Sequence, residues 1–455
     1  MEARFTPFAA RMKAEGLPDV AIATFRHYYE QLLAGATGLI PEAAIRPIDT
    51  LPDAATFGEA ERAAGDAALS QTVLLKLNGG LGTSMGLQRA KALLTVKDGL
   101  SFLDIIARQA LHSGIPLLLM NSYNTRADSL ALLARYPALQ QRIPLDFLQH
   151  KVPKIRRSDL APVDFPTQPD LTWNPPGHGD IYTALVTSGL LEKLLAGGYK
   201  TAFVSNADNL GAVIDRRLLG YFISAGLPFM MEVAERTPAD SKGGHLARRP
   251  DGQLLLRESA QCPAEDAAAF QDINRHRFFN TNNLWLNLPA LHELLQARNN
   301  ILGLPLIRNE KTVDPRDAAS EPVYQLETAM GSAIGIFPGA GAVRVPRSRF
   351  SPVKRSGDLL AVRSDAYVLN EDGRVMLSPD RNGSAVIVEL DDRYYKRIDD
   401  LEARFPHGAP SLVGCRRLRI EGDVRFGKDV IVQGEVVLVH AGSAARFIAD
   451  GSVLA

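Results

Sequence analysis

The sequence predicts an α/β protein, with a Rossmann-like, mostly parallel mixed sheet carrying helices on both faces. A helical segment precedes it and a small β domain follows. Three observations predict this. From about Thr72, apolar runs of strand length alternate with stretches of helical spacing. The first run, TVLLKLN, is apolar almost throughout, as a strand buried on both faces of a parallel sheet should be, and it leads straight into a glycine-rich loop. After about Asp380 helical spacing disappears, and short β-branched runs are punctuated by Gly422, Gly427 and Gly434.

The chain of 455 residues is long enough for several units. We divide it into a helical segment (1–45), a nucleotide-type domain (46–383) and a small β-helix-like domain (384–455), with a sandwich as the alternative for the last. In the first segment Phe5, Phe8 and Met12 share one helical face. Ala21, Phe25, Tyr28, Tyr29 and Leu32 share another, with Gly16 and Pro18 as the break. The βα winding then reads in order. TVLLKLN is a strand, KALLTV (91–96) another, and Ser101 caps a helix through Ala110. PLLLMNS (116–122) is a buried strand, 125–136 a helix and PLDFL a further strand. QLETAMGSAI (325–334) reads as a core helix. In such sheets ligands bind beyond the carboxyl ends of the strands. The glycine loop, Asn121, Gln149 and Asp208 each follow a predicted strand, which points to one shared site.

Composition narrows the partners. There are 51 basic and 51 acidic residues, so no net charge draws the chain to nucleic acid. The two cysteines, Cys262 and Cys415, have no metal-type spacing and are expected as free thiols of a reducing compartment. The start, MEARFTPFAARM, lacks a signal-peptide core, and no run approaches the roughly 20 apolar residues of a membrane span. A cytoplasmic monomer without membrane contact is expected.

Three stretches carry chemistry. LNGGLGTSMGLQRAK (77–91) strips side chains from a backbone whose N–H groups can then close on a phosphate or a base edge. It is neither a Walker loop, since Leu87 follows Gly86, nor a dinucleotide fingerprint, since Met85 stands where the third glycine belongs. WNPPGHGDIYTAL (173–185) places His178 between two glycines, with Asp180 set to cap a helix beginning at Ile181. The His178 ring N–H can donate to a phosphate and the Gly179 amide to a base edge; a plain loop histidine is the alternative. In YKTAFVSNADNLGA (199–212) Asp208 follows a strand and faces the glycine loop, where a carboxylate can hold Mg²⁺ on a triphosphate. A turn-capping aspartate is the bland reading.

These stretches, together with DFLQHKVPKI, MEVAERTPADSKGGHLAR, LLLRESAQ, FFNTNNLWLNL and VPRSRFSPVK, resemble in order the eukaryotic-type UTP–glucose-1-phosphate uridylyltransferases. The branch is the one with a short carboxyl-terminal domain. The resemblance implies a nucleotidyltransferase, GT-A-like sheet and reversible, Mg²⁺-dependent conversion of UTP and glucose 1-phosphate into UDP-glucose and pyrophosphate. It implies Lys91, Lys354 and His178 as catalytic residues and Asp208 as metal ligand. Leu77, Asn78, Gly79, Gly80, Gly82, Gln149, Gly179 and Asn206 would bind the nucleotide, with the Gln149 amide reading uracil. Glu258, on a strand, and Asn280 and Asn282, which alternate with Thr281 and so face one side, would hold the sugar. Rival readings are a pyrophosphorylase of broader or N-acetylhexosamine specificity, a non-reacting sugar-nucleotide sensor and a glycosyltransferase. No DxD-type pair supports the last.

Overall fold

The computed structural model describes residues 2–139 and 142–455. Its centre is a nine-stranded mixed sheet. Across the site-forming half the order is Thr201–Asn206, Thr72–Asn78, Leu117–Asn121, Asp146–Leu148, all parallel. Beyond Thr201–Asn206 the sheet continues antiparallel into Phe278–Asn287, which carries His245–Arg248 with Leu254–Arg257 along one stretch and Phe229–Glu235 along another. Gly341–Arg344 closes that side.

The parallel strands end level. Asn78 lies opposite Asn121, Asn121 opposite Leu148, and Leu77 opposite Asn206. Each loop that follows therefore leaves the same edge within about one residue's rise, roughly 3 Å. Thr72–Asn78 lies between Thr201–Asn206 and Leu117–Asn121, and its apolar side chains divide between two cores. Leu74 belongs to the one around helix Phe102–Ser113, whereas Val73 and Leu75 belong to the one around Ile181–Thr187. Burial on both faces explains why this strand reads as a continuous apolar run.

Two expected elements differ. KALLTV does not enter the sheet: Lys91–Leu93 is a 3₁₀ turn and Thr95–Lys97 pairs only with Leu100–Ser101. Both places beside Thr72–Asn78 are already taken by parallel strands, so this run turns away into a hairpin. Ser101 then caps Phe102–Ser113, its hydroxyl accepting from the Asp104 amide at 3.1 Å. QLETAMGSAI is no helix either. Pro322–Glu327 is a strand against Ile307–Thr312, and Met330–Gly335 is a 3₁₀ turn. Gly331 and Gly335 disfavour a helix there, and an edge strand was available to pair with.

The two amino-terminal helices, Glu2–Ala14 and Asp19–Leu33, pack through Phe5, Phe8, Phe25 and Tyr29, with Phe8 and Tyr29 ring centres 4.8 Å apart. They cover Val152, Ile155, Leu306 and Leu326. At the carboxyl end the strands form three parallel sets. These are Ile387–Leu390 with Cys415–Glu421 and Gly434–Val439, then Val424–Phe426 with Arg446–Ile448, then Ile431–Val432 with Val453–Leu454. Their inward residues Leu418, Ile420, Val424 and Phe426 share one core with Phe102 and Leu117.

Helix Arg216–Ser224, reached from the Asp208 loop, crosses Glu59–Ala68 at very short range. A methyl at Gly220 would meet the Glu61 carbonyl oxygen at 1.7 Å, and one at Gly65 the Arg216 carbonyl oxygen at 1.8 Å. These contacts are with backbone, so they cannot be relieved by a rotamer change. Gly220→Ala is expected to lower stability by about 1–3 kcal/mol through overpacking; a denaturation midpoint equal to that of the parent would show that the crossing is not tight.

Candidate active site

The edge formed by the level strands is stitched together first by side chains. Asn78 Nδ2 donates to Asn121 Oδ1 at 2.7 Å and to Ser129 Oγ at 2.8 Å, while its carbonyl accepts from Thr125 Oγ1 at 2.6 Å. The Asn78 side chain is buried in the joint between strands, where its amide is satisfied, so any nucleotide contact by this residue would fall to its backbone. The Leu77 carbonyl likewise accepts from Ala207 N at 3.0 Å, which fixes the start of the loop bearing Asp208. Asn206, level with Leu77, keeps its side-chain amide without a partner among the described residues, as a ligand contact requires.

The glycine loop then rises from Asn78. Gly82 and Gly86 adopt left-handed φ of 66° and 76° around the 3₁₀ turn Thr83–Met85, conformations that other residues rarely accept. Gly79 leaves room for Gln149, since a methyl there would lie 2.8 Å from Gln149 Oε1 and displace that amide. Gln149 is buried, and its Nε2 donates to the Gly177 carbonyl at 3.0 Å, which ties the amide between the Gly79 and Gly177 loops. The Gly80 carbonyl accepts from Lys91 N at 3.0 Å, which folds Lys91 back beneath the loop. There its Nζ meets Asp208 Oδ2 at 2.6 Å.

His178 sits in the 3₁₀ turn His178–Asp180 ahead of helix Ile181–Thr187. Its Nδ1 accepts from the Met330 amide at 2.9 Å, so the proton of the neutral ring resides on Nε2. Burial pushes its pKa down to about 4, which keeps the ring a neutral donor. Two expectations fail in this turn. Gly179 N donates to the Thr328 carbonyl at 2.8 Å and is not free for a base edge; the Gly177 amide has no partner among the described residues. Asp180 does not cap the helix. Its carboxylate accepts from His150 N at 2.7 Å and contacts His150 Nδ1 at 2.9 Å. A buried imidazole competed successfully for that carboxylate.

Glu258 follows strand Leu254–Arg257 rather than lying on it, at the start of the turn Ser259–Gln261. Burial pushes its pKa up, and Lys354 opposes this. Asn280 and Asn282 do face one side. Asn280 Nδ2 donates to Asn282 Oδ1 at 2.8 Å, and Asn282 N donates to Asn280 Oδ1 at 2.9 Å. The geometry rests on a bulge, where pairing with Phe229–Glu235 shifts between Glu232 and Val233 and Asn282 takes a φ of 59°.

Lys354 comes from the loop after Gly341–Arg344. Its side chain is exposed, with Nζ 5.5 Å from the Phe350 ring centre; Phe350 in turn meets Phe279 edge-on at 4.9 Å. Its own amide and that of Arg355 both donate to Asp358 Oδ2 at 2.8 Å. Val353 N donates to the Asp208 carbonyl at 3.3 Å. The backbone just ahead of Lys354 thus meets the loop of Asp208, whose carboxylate pairs with Lys91, although some 260 residues of sequence separate Lys91 from Lys354.

As for a metal, Asp208 Oδ1 has no partner among the described residues, and no cluster of three or more metal-ligating side chains accompanies it. One carboxylate fits Mg²⁺, which keeps water and takes substrate phosphates rather than an all-protein cage. It does not fit a structural metal.

Sequence reading missed the residues beneath these. Glu232 and Lys76 are fully buried charges in otherwise apolar strands, and such an interruption was the available signal. Arg349 was noticed only as part of a basic run. It pairs with Glu232 at 2.7 Å.

A family model described as UTP–glucose-1-phosphate uridylyltransferase matches residues 22–433. The chain is 43% identical over 395 residues to the UTP–glucose-1-phosphate uridylyltransferase of Saccharomyces cerevisiae, covering 85% of this chain and 77% of that one. It superposes with a TM-score of 0.93 on a point mutant of the UDP-glucose pyrophosphorylase of Leishmania major in complex with UDP-glucose, at 45% identity, covering 100% of this chain and 98% of that one. A UDP-glucose phosphorylase of Trypanosoma brucei gives a TM-score of 0.90 at 44% identity, covering 99% and 98%. Matching motifs, matching fold and a match over most of the length agree: the chain belongs to the UTP–glucose-1-phosphate uridylyltransferase family.

Proposed function

We propose that this protein reversibly transfers UMP from UTP to glucose 1-phosphate, yielding UDP-glucose and pyrophosphate. The observation that carries this reading is the convergence of three groups on one sheet edge. Gln149 lies over Gly79 on the base side. Lys91 pairs with Asp208 on what we read as the phosphate side, and the backbone ahead of Lys354 meets the Asp208 loop. Glu258, Asn280 and Asn282 line the sugar side. The fold is read as GT-A-like and the carboxyl-terminal strands as a β-helix, supported by their three parallel sets. Domain boundaries are placed near residues 46 and 384. Free thiols at Cys262 and Cys415 suit the cytoplasmic setting proposed here, and the protein is proposed to act as a monomer.

The nucleophile is a phosphate oxygen of glucose 1-phosphate, already anionic near neutral pH, so no base is needed to activate it. It attacks the α-phosphorus of UTP, and the bond to the bridging oxygen of pyrophosphate breaks in line. The chain's work is to hold two repelling anions in that line and to balance the charge that spreads over the reacting oxygens. Lys354 and the Lys91 ammonium supply positive charge, and His178 donates Nε2–H to a phosphate oxygen. The loop amides cradle the phosphates. Asp208 would hold Mg²⁺ on the nucleotide, where the ion would neutralise phosphate charge.

Pyrophosphate release from UTP is expected with glucose 1-phosphate and not with N-acetylglucosamine 1-phosphate; comparable rates with both would assign the broader specificity. Lys354→Ala should retain the fold and lose about 10²–10³ in kcat, as removal of one fixed donor does elsewhere. Near-normal turnover would remove Lys354 from the transition state. Because the His178 pKa lies near 4, the ring stays neutral well above that value. The prediction is a kcat profile with no His178 inflection from about pH 6 to 8.5. An inflection near the ordinary histidine pKa, present in the parent and missing in His178→Gln, would show that the charged ring acts instead.

A further inference from the structure

The SNADN stretch contains a second asparagine, Asn209, that the reaction itself does not use. It directly follows Asp208, it is 2% exposed, and its amide is fully occupied. Nδ2 donates to the Arg349 carbonyl at 3.1 Å and to Asn283 Oδ1 at 3.2 Å. Oδ1 accepts from Ser351 N at 3.0 Å and from Gly211 N at 3.2 Å. A side-chain amide has two N–H donors and two acceptor positions, so nothing is left over. Two of those four bonds go to the segment that leads to Lys354. The backbones also touch there, since Asn209 and Pro352 form a bridge and Val353 N reaches the Asp208 carbonyl. Gly211 allows this approach: a methyl on it would meet the Ser348 carbonyl oxygen at 2.3 Å.

Lys354 is therefore tied on both sides. Ser351 and Val353 fix its amino-terminal side to the Asp208 loop, and Asp358 fixes its own amide. We propose that Asn209 is a positioning residue that sets Lys354 relative to Asp208. The backbones that carry the two groups are then held in register before any substrate arrives. The inference rests on the functional reading above. If it holds, losing Asn209 lets the Lys354 segment drift while Gln149 and Glu258, which lie on other loops, remain in place. An error of about 1 Å in such a group costs on the order of 10²-fold.

The test is a double-mutant cycle on the full chain, following pyrophosphate release from UTP and glucose 1-phosphate with Mg²⁺. Asn209→Ala is expected to lower kcat about 10- to 100-fold with both KM values within about threefold. In a Lys354→Ala background the same change should cost less than about threefold, because its route to the rate is already gone. Equal losses in both backgrounds would make Asn209 merely structural and overturn the proposal, as would a loss carried by KM with kcat retained. If Asn209→Ala does not accumulate as folded protein, Asn209→Asp takes its place in the cycle, with the same two outcomes. Its carboxylate can still accept from Ser351 and Gly211 but cannot donate to Arg349. A parent enzyme that releases no pyrophosphate would overturn the functional reading and this one together, whereas equal losses with an active parent overturn the positioning role alone.

Discussion

The Glu232 carboxylate sits at the middle of strand Phe229–Glu235 with no access to water, and the arrangement of the catalytic loops follows from the need to satisfy it. A buried charge that is unpaired is far costlier than one fully bonded. Here each oxygen accepts twice. Oε1 takes Trp285 Nε1 at 2.9 Å and Arg349 Nη2 at 2.7 Å. Oε2 takes Asn283 Nδ2 at 3.0 Å and Arg349 Nε at 2.7 Å. The planar guanidinium fits that fork in one orientation only, so the chain at Arg349 has no freedom to slide. Arg349 is also five residues ahead of Lys354. A requirement of the core thereby becomes a constraint on the site.

A second buried charge holds the opposite loop from below. Lys76 projects from the central strand, and its Nζ donates to Ser205 Oγ and to the Ala212 carbonyl, both at 2.7 Å. It grips the Asp208 loop at its beginning and its end. Burial pushes its pKa down to about 7, and the nearby Arg349 guanidinium acts in the same direction. The two charges divide the work. Glu232 fixes the segment that brings Lys354, and Lys76 fixes the segment that brings Asp208. Asn209 lies where the two segments meet.

How much of this was legible follows from where the information resides. The parallel half of the sheet was readable because its strands are buried on both faces and so apolar along their whole length; Thr72–Asn78 was found residue for residue. The glycine loop and the loops bearing Gln149 and Asp208 were readable from glycine spacing and from their places after strands. Errors arose where a local signal was outbid by a partner distant in sequence. Asp180 has the right position for a cap and serves His150 instead. The Asn78 side-chain amide donates to Asn121 and Ser129, a structural duty its place after a strand does not reveal. The run after Lys91 has strand character but no free edge to join. The pairing of Glu232 with Arg349 bridges 117 residues, and no local pattern encodes it.

These layers explain why a site without a proton-relay triad can still be demanding in its construction. When the nucleophile is already charged, catalysis depends on where cations and donors stand relative to two phosphates, and the energy of a fixed dipole or charge falls away as it is allowed to move. A surface lysine on a free loop would be a poor catalyst for that reason. Lys354 is exposed at its ammonium group yet tied at the backbone through Ser351, Val353 and Asp358, so its mobility is confined to the side chain. His178 is fixed in the same manner, by an amide that selects its tautomer. The chain thus anchors Lys354 and His178 through hydrogen bonds to the backbone, and preorganisation of this kind is what the electrostatics of phosphoryl transfer require.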